Sequence, residues 1–230
     1  MKVVVLPDSA SAARRAAQFI AAEARAAAAA RGLFTFAVSG GRTPWEMLRA
    51  LTEEDVPWTA VHLFQVDERI APAGDPARNL THIGESLLRT EALPPAQLHA
   101  MPVEAHDLAA ATARYARELA RVAGTPPVLD LVHLGLGPDG HTASLLPGDP
   151  ALDVTRDDVT VTGVYQGHQR MTLTFPAIDR ARRILWVVTG AEKQPMLARL
   201  RAGDRSIPAG RVRREDALIV ADAAAAGDTP

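Results

Sequence analysis

Apolar residues fall along the chain in short blocks with little alternation. Val3–Leu6, Leu33–Val38, the AVHLFQV segment within Trp58–Val66, Asp130–Leu136, Arg183–Val188 and Leu218–Val220 all read this way. Such blocks suit strands buried on both faces, as in a parallel sheet. Helical periodicity fills the gaps. A first helix is predicted from a Ser9 or Ser11 cap to about Arg31, ended by Gly32. Others are predicted over Trp45–Leu51, Asn79–Leu88, Ala105–Val122 and Gln194–Arg201, with Asp222 capping a terminal alanine helix. Leu98–Met101 reads as a further short strand. After Pro147–Pro150 the pattern changes: Val159–Val164 and Met171–Phe175 read as paired strands joined by Tyr165–His168, and Pro176–Ala181 as a short helix. Strands alternating with helices predict an α/β fold with a mostly parallel, doubly wound sheet. No internal repeat or low-complexity linker interrupts the chain, so residues 1–230 are expected to form a single domain.

Several of the apolar blocks end in polar or glycine-rich loops. Leu33–Val38 runs into Ser39-Gly40-Gly41-Arg42-Thr43-Pro44, and Pro44 suits the first turn of a helix. Strand, glycine loop and helix together offer backbone N–H groups and a positive helix end to an anion. The block before Asp67-Glu68-Arg69 ends in three adjacent charges, which need partners if buried. The most buried block leads into Gly135-Leu136-Gly137-Pro138-Asp139-Gly140-His141, and Arg183–Val188 leads to Lys193. In open α/β sheets ligands bind beyond the carboxyl ends of the strands. Asp139 and His141 are therefore expected in an active site on which the other loops converge. Gly135, Gly137 and Gly140 match G-x-G-x-x-G, but Pro147-Gly148 leaves no room for the long helix a dinucleotide fold requires. Ser144 lies one turn from His141, within reach of a hydrogen bond, but lacks a nucleophile elbow. His62 and His133 alternate within strands and read as packed core or face residues.

Composition narrows the chemistry. Of 230 residues, 47% are hydrophobic and the formal net charge is −2, so neither nucleic acid nor an anionic membrane surface is an expected partner. The absence of cysteine excludes thiol catalysis and disulfides, and no cluster of metal ligands stands out. The start, MKVVVLPDSA, is broken too early for a signal peptide, and the Ala26–Ala30 run, flanked by Arg25 and Arg31, reads as helix surface. A cytoplasmic location is expected. Lys2 and Lys193 are the only lysines in an arginine-rich chain, which makes Lys193 at a strand end notable. A histidine beside a carboxylate, with several anion donors and no metal, suits hydrolysis or isomerisation of a small sugar phosphate.

The ordered set SGGRTP, VDER, the Asn79 helix, GLGPDGHTASLLPG, RMTLTFPAIDRAR and VTGAEK resembles the 6-phosphogluconolactonase family over nearly the whole chain. The resemblance implies hydrolysis of 6-phosphoglucono-δ-lactone to 6-phosphogluconate in the oxidative pentose phosphate pathway; since the chain offers no ligand set for a metal, neither a metal nor another cofactor is expected. It also implies a Rossmann-like fold shared with glucosamine-6-phosphate deaminase and ribose-5-phosphate isomerase. The expected base is His141, oriented by Asp67 or Asp139. Arg69 or loop N–H groups would receive the oxyanion. Candidates for binding the substrate and its phosphate are Ser39, Gly40, Gly41, Arg42, Thr43, Asn79, Gly137, Arg170 and Lys193, alongside Arg69. The expected partner is the sugar-phosphate lactone alone, bound by a monomer or small homo-oligomer. Deaminases carry a similar loop but have a glutamate where Leu146 stands, so deamination is the alternative, as is a non-catalytic sugar-phosphate sensor. Three departures from the lactonase pattern stand out: Arg78 in place of a serine, Tyr165-Gln166-Gly167-His168 in place of a proline-rich loop that usually carries a lysine, and the absence of the usual aromatic near the last strand.

Overall fold

A computed structural model describes residues 1–88 and 92–227. Seven strands form one parallel sheet: β1 (Lys2–Leu6), β2 (Phe34–Val38), β3 (Val61–Gln65), β5 (Leu98–His99), β6 (Leu131–Leu134), β9 (Arg183–Val188) and β10 (Ala217–Asp222). Their order across the sheet is β1-β10-β9-β6-β2-β3-β5, parallel throughout. From β2 the chain builds outward through β3 to β5, then returns to β6 on the other side of β2 and builds the opposite way. The carboxyl ends of β2 and β6 therefore flank the point where the winding reverses, where a crevice opens in folds of this kind.

Both faces of the sheet are covered, which is why its strands read as apolar runs. Phe34, Phe36 and Val38 of β2 and Leu185 and Val187 of β9 join one core cluster with α1 (Ser9–Arg31) and α2 (Arg42–Leu51). Ala37, Trp186 and Val188 belong to the other, with α4 (Leu108–Ala123), α5 (Phe175–Asp179) and α6 (Gln194–Ala202). Small side chains let α1 pack against the sheet and α2: Ala12, Ala13, Ala16, Ala17, Ala21, Ala24 and Ala27 are buried with Ile20. Helix α4 buries Ala111, Tyr115 and Leu119, spaced by four along one face.

Several boundaries differ from the sequence reading. Asp8, rather than Ser9 or Ser11, caps α1 by accepting from the Ser11 N–H at 2.7 Å. Within Ala26–Ala30, Ala27 is buried in the core instead of lying on the surface. Helix α2 begins at Arg42, and α4 begins at Leu108 because Asp107 caps it. The Asn79 helix is α3 (Asn79–Ile83) continued by one wider turn over Gly84–Leu88. Asp222 caps α7 (Ala223–Ala226) as expected, accepting from Ala225 N–H at 2.8 Å.

The larger difference concerns Asp67–Arg69. These residues do not end a central strand; they form β4, which leaves the main sheet and pairs antiparallel with β8 (Arg170–Leu173). β8 pairs in turn with β7 (Val159–Val161), making a separate three-stranded sheet. Val66 joins the two sheets, its N–H donating to Val38 C=O and its C=O accepting from Leu173 N–H.

His133 lies at the centre of the main sheet with no exposed surface, and its Nδ1 accepts from the Ser39 N–H at 3.3 Å. Burial pushes its pKa down to about 3. The unfolded chain takes up a proton on this ring below about pH 6.5, whereas the folded chain resists it. Stability should therefore fall as pH drops through that window, His133 alone contributing a loss of about 2 kcal/mol at pH 5. Urea unfolding of wild type and His133→Asn at pH 7.5 and pH 5 checks this: the variant should lose less stability on acidification. Parallel losses would contradict it.

Candidate active site

A cavity of about 510 Å³ opens where the winding reverses. It is lined by the loops after β2, β6 and β9 and by the residues that follow β3. Ser39, Gly40, Gly41, Arg42, Thr43, Asp67, Arg69, Asn79, Gly137, His141, Arg170 and Lys193 all line it. Asp139 lies behind His141 instead of on the cavity wall and touches it directly. Its Oδ1 accepts from His141 Nδ1 at 2.5 Å and from the His141 N–H at 3.1 Å. Burial draws the Asp139 carboxyl upward, but the hydrogen bonds from His141 and the attraction of its ring outweigh that and hold it below the ordinary carboxylate range. A carboxylate on Nδ1 fixes the tautomer, leaving Nε2 as the ring's free acceptor.

Asp67 does not share this task. Its Oδ2 accepts from Ser144 Oγ at 2.7 Å, and Ser144 is fully buried. The hydrogen bond from Ser144 to His141 that the sequence spacing allowed is therefore replaced by one to Asp67. The β6 loop also differs from a simple donor cradle. The Gly137 N–H is spent on His141 C=O at 2.8 Å and the Gly140 N–H on Gly137 C=O at 3.1 Å, so neither is open to a ligand. Gly137 matters instead by lacking a side chain: a Cβ there would lie 2.2 Å from His141 Nδ1. Gly40 makes room in the same way, since its Cβ would meet Asn79 Oδ1 at 1.9 Å.

The alternation of β4 sorts its three charges. Asp67 and Arg69 face the cavity, and Glu68 points the other way with no exposed surface. Its Oε1 accepts from the N–H groups of Asn79 (2.7 Å) and Arg69 (2.8 Å). Its Oε2 accepts from Gln65 Nε2 (2.8 Å) and the Leu80 N–H (2.9 Å) and pairs with Arg78 Nε at 3.1 Å. The carboxylate thus holds the first turn of α3, and Arg78, itself buried, is its counter-ion rather than a cavity residue. Asn79 then donates Nδ2 to Asp67 C=O at 2.8 Å and accepts from Arg69 Nη1 at 3.1 Å.

Positive charge is in excess on the cavity wall, where Arg42, Arg69, Arg170 and Lys193 face only Asp67 and Glu192. Arg69 and Arg170 sit opposite each other in the β4–β8 register. Arg170 is buried, its Nε has no hydrogen-bond partner, and burial followed by the nearby Arg69 charge lowers its pKa. Helix α2 begins at the cavity with no side chain capping it, and the buried Ser39 Oγ has no partner. Thr43 Oγ1 meets Thr189 Oγ1 at 2.7 Å, tying the β2 loop to the β9 loop that carries Lys193. An uncapped helix start beside unpaired guanidinium and hydroxyl groups can receive an anion.

Sequence reasoning missed Tyr165, Gln166, Thr189 and Glu192 among the lining residues. Tyr165 and Gln166 come from the β7–β8 connection, which carries no apolar pattern pointing to a site. Among the described residues no three His, Asp or Glu side chains converge to hold a metal ion, and no helix is long and apolar enough to cross a membrane.

Comparison with known proteins agrees with this architecture. Residues 7–220 match the family model described as glucosamine-6-phosphate isomerases/6-phosphogluconolactonase. A 6-phosphogluconolactonase from Nostoc sp. is 34% identical over 232 residues, covering 98% of this chain and 96% of that protein. One from Synechocystis sp. is 39% identical over 200 residues, covering 84% and 83%. The crystal structure of 6-phosphogluconolactonase from Thermotoga maritima superposes with a TM-score of 0.85 at 26% identity, covering 96% of this chain and 98% of that one. A monomeric glucosamine-6-phosphate deaminase shares the fold, with a TM-score of 0.86 at 18% identity over all of both chains.

The Glu68 cluster gives a test of how the site is held. Glu68→Ala should cost about 3–5 kcal/mol, because it strands four donors and leaves the buried Arg78 guanidinium with only Ala71 C=O and the exposed Glu104 as partners. Glu68→Ala combined with Arg78→Met should recover part of that loss in chemical denaturation. Additive losses would mean the pair does not act as a unit.

Proposed function

Because the chain belongs to the glucosamine-6-phosphate isomerase/6-phosphogluconolactonase family, we propose that it hydrolyses 6-phosphoglucono-δ-lactone to 6-phosphogluconate, with His141 as general base and no metal. The observation that carries this reading is the 2.5 Å contact between Asp139 and His141 on a cavity whose wall is cationic. Asp139 keeps His141 Nε2 free to take a proton from water. The resulting hydroxide attacks the lactone carbonyl, and the negative charge on its oxygen needs a donor close by. Arg69 is the candidate for that role. The imidazolium then returns its proton to the ring oxygen as the C–O bond breaks. The 2⁻ phosphate would be held by the Ser39–Thr43 loop with α2 behind it, by Arg170 and by Lys193.

One feature favours hydrolysis over the deaminase reaction. Leu146, where deaminases have a glutamate, is buried and apolar and can move no proton. The water needed for hydrolysis can reach His141, whose side chain keeps 19% of its surface exposed. An ordered base and its carboxylate partner are likewise more than a sensor needs.

Replacing His141 with Asn keeps a polar side chain but removes the base. Turnover, corrected for spontaneous opening of the lactone, should fall by roughly 10²–10⁴-fold while product binding persists. EDTA in the same assay should leave wild-type turnover unchanged. A folded His141→Asn protein with near-normal turnover would exclude the base assignment, and loss in EDTA restored by a divalent ion would exclude the metal-free route.

A further inference from the structure

The loop that departs most from the lactonase pattern makes three contacts with the site. Tyr165 and His168 close a two-residue hairpin, Tyr165 N–H donating to His168 C=O at 2.9 Å and His168 N–H to Tyr165 C=O at 3.2 Å. The central residues, Gln166 and Gly167, have φ of 50° and 83°. Positive φ at both central positions is the mark of a type I′ turn, whose twist matches the strands it joins. Tyr165 is therefore presented from a tight turn, not from an open flap. Its hydroxyl donates to Asp139 Oδ2 at 3.2 Å, the oxygen that His141 leaves free. Its ring meets the His141 ring edge to face, with centroids 5.6 Å apart, and the Arg170 guanidinium lies 5.1 Å from its centroid.

We propose that Tyr165 is a positioning residue that couples the base pair to the phosphate anchor: its hydroxyl fixes and tempers Asp139, and its ring seats Arg170. This rests on His141 acting as the base and on Arg170 holding the phosphate. The charged and titratable groups around Tyr165 are Asp139 and His141 on one side and Arg170 on the other, with Arg69 and Asp67 beyond Arg170. A hydroxyl donating to Asp139 draws off part of its negative charge. Without it the carboxylate has one partner, His141, and binds the imidazolium more strongly. The base then holds its proton to a higher pH and is less well aligned. Losing the whole ring removes in addition the aromatic face against which Arg170 rests.

The two parts separate experimentally on the purified full chain with freshly generated phosphorylated lactone. Tyr165→Phe keeps the ring, so KM should stay near wild type. Its kcat should fall about 3- to 10-fold, the worth of one hydrogen bond, and the acidic limb of its kcat/KM profile should move to higher pH. Tyr165→Leu should do the same and also raise KM, by roughly 3- to 10-fold for the lost cation–π contact. A Tyr165→Phe enzyme with wild-type kcat and an unmoved acidic limb would overturn the inference. So would a loss of activity with the limb in place and a lowered unfolding midpoint, the signature of a structural role. His141→Asn run alongside separates the premises: if it stays active, the base assignment fails; if it is inactive while Tyr165→Phe is normal, only the role of Tyr165 fails.

Discussion

A carboxylate with no access to water must be surrounded by donors, and Glu68 gathers them from three parts of the chain. It ties the end of β3 through Gln65, the start of α3 through the Asn79 and Leu80 N–H groups, and β4 through Arg69, with Arg78 as counter-ion. Strand alternation does the rest. With Glu68 locked inward, its neighbours Asp67 and Arg69 must face the other way, into the cavity. The same cluster sets Asn79, which reaches back to both neighbours. Three groups at the active cavity thus depend on one buried charge that never enters it. Replacing Glu68 by a well-packed apolar residue would strip those donors of their acceptor as well as the ion pair of its anion.

The winding of the sheet adds the second half. The β6 loop and the β2 loop meet because their strands are neighbours whose connections leave in opposite directions. That brings the Asp139–His141 pair against the uncapped start of α2. His141 is crowded from behind by Gly137, which explains why the loop tolerates no side chain there. The loop satisfies its own Gly137, Gly140 and His141 N–H groups, so it acts as a rigid mount for the imidazole and leaves anion binding to the other walls.

Much of this was legible in the sequence. Doubly buried strands read as unbroken apolar runs, and glycine or charge clusters at their ends marked the cavity. Twelve of the thirteen expected site residues line it, with Asp139 directly behind His141. What could not be read was pairing at a distance. Nothing in the order Asp67-Glu68-Arg69 says that the chain leaves one sheet for another at Val66, and so nothing says which charges face inward. The choice between Asp67 and Asp139 as partner of His141 likewise turns on Ser144, which is 77 residues from Asp67 in sequence and claims its oxygen. The Tyr165–His168 loop stood out as a departure from the family pattern, but a hairpin turn carries no periodicity to say that Tyr165 turns into the cavity, where its hydroxyl meets Asp139 and its ring meets Arg170.

The central claim is that this cavity turns over a phosphorylated lactone and uses the phosphate to do so. The most direct test is acid release by the wild-type chain from freshly generated 6-phosphoglucono-δ-lactone, set beside glucono-δ-lactone without the phosphate. Release should exceed the spontaneous rate in proportion to enzyme concentration, with kcat/KM for the phosphorylated lactone larger by at least about two orders of magnitude, since a wall on which cations outnumber carboxylates, with Arg170 buried in it, favours a dianion. Rates no greater than the spontaneous opening of either lactone, or equal kcat/KM for both, would contradict the account.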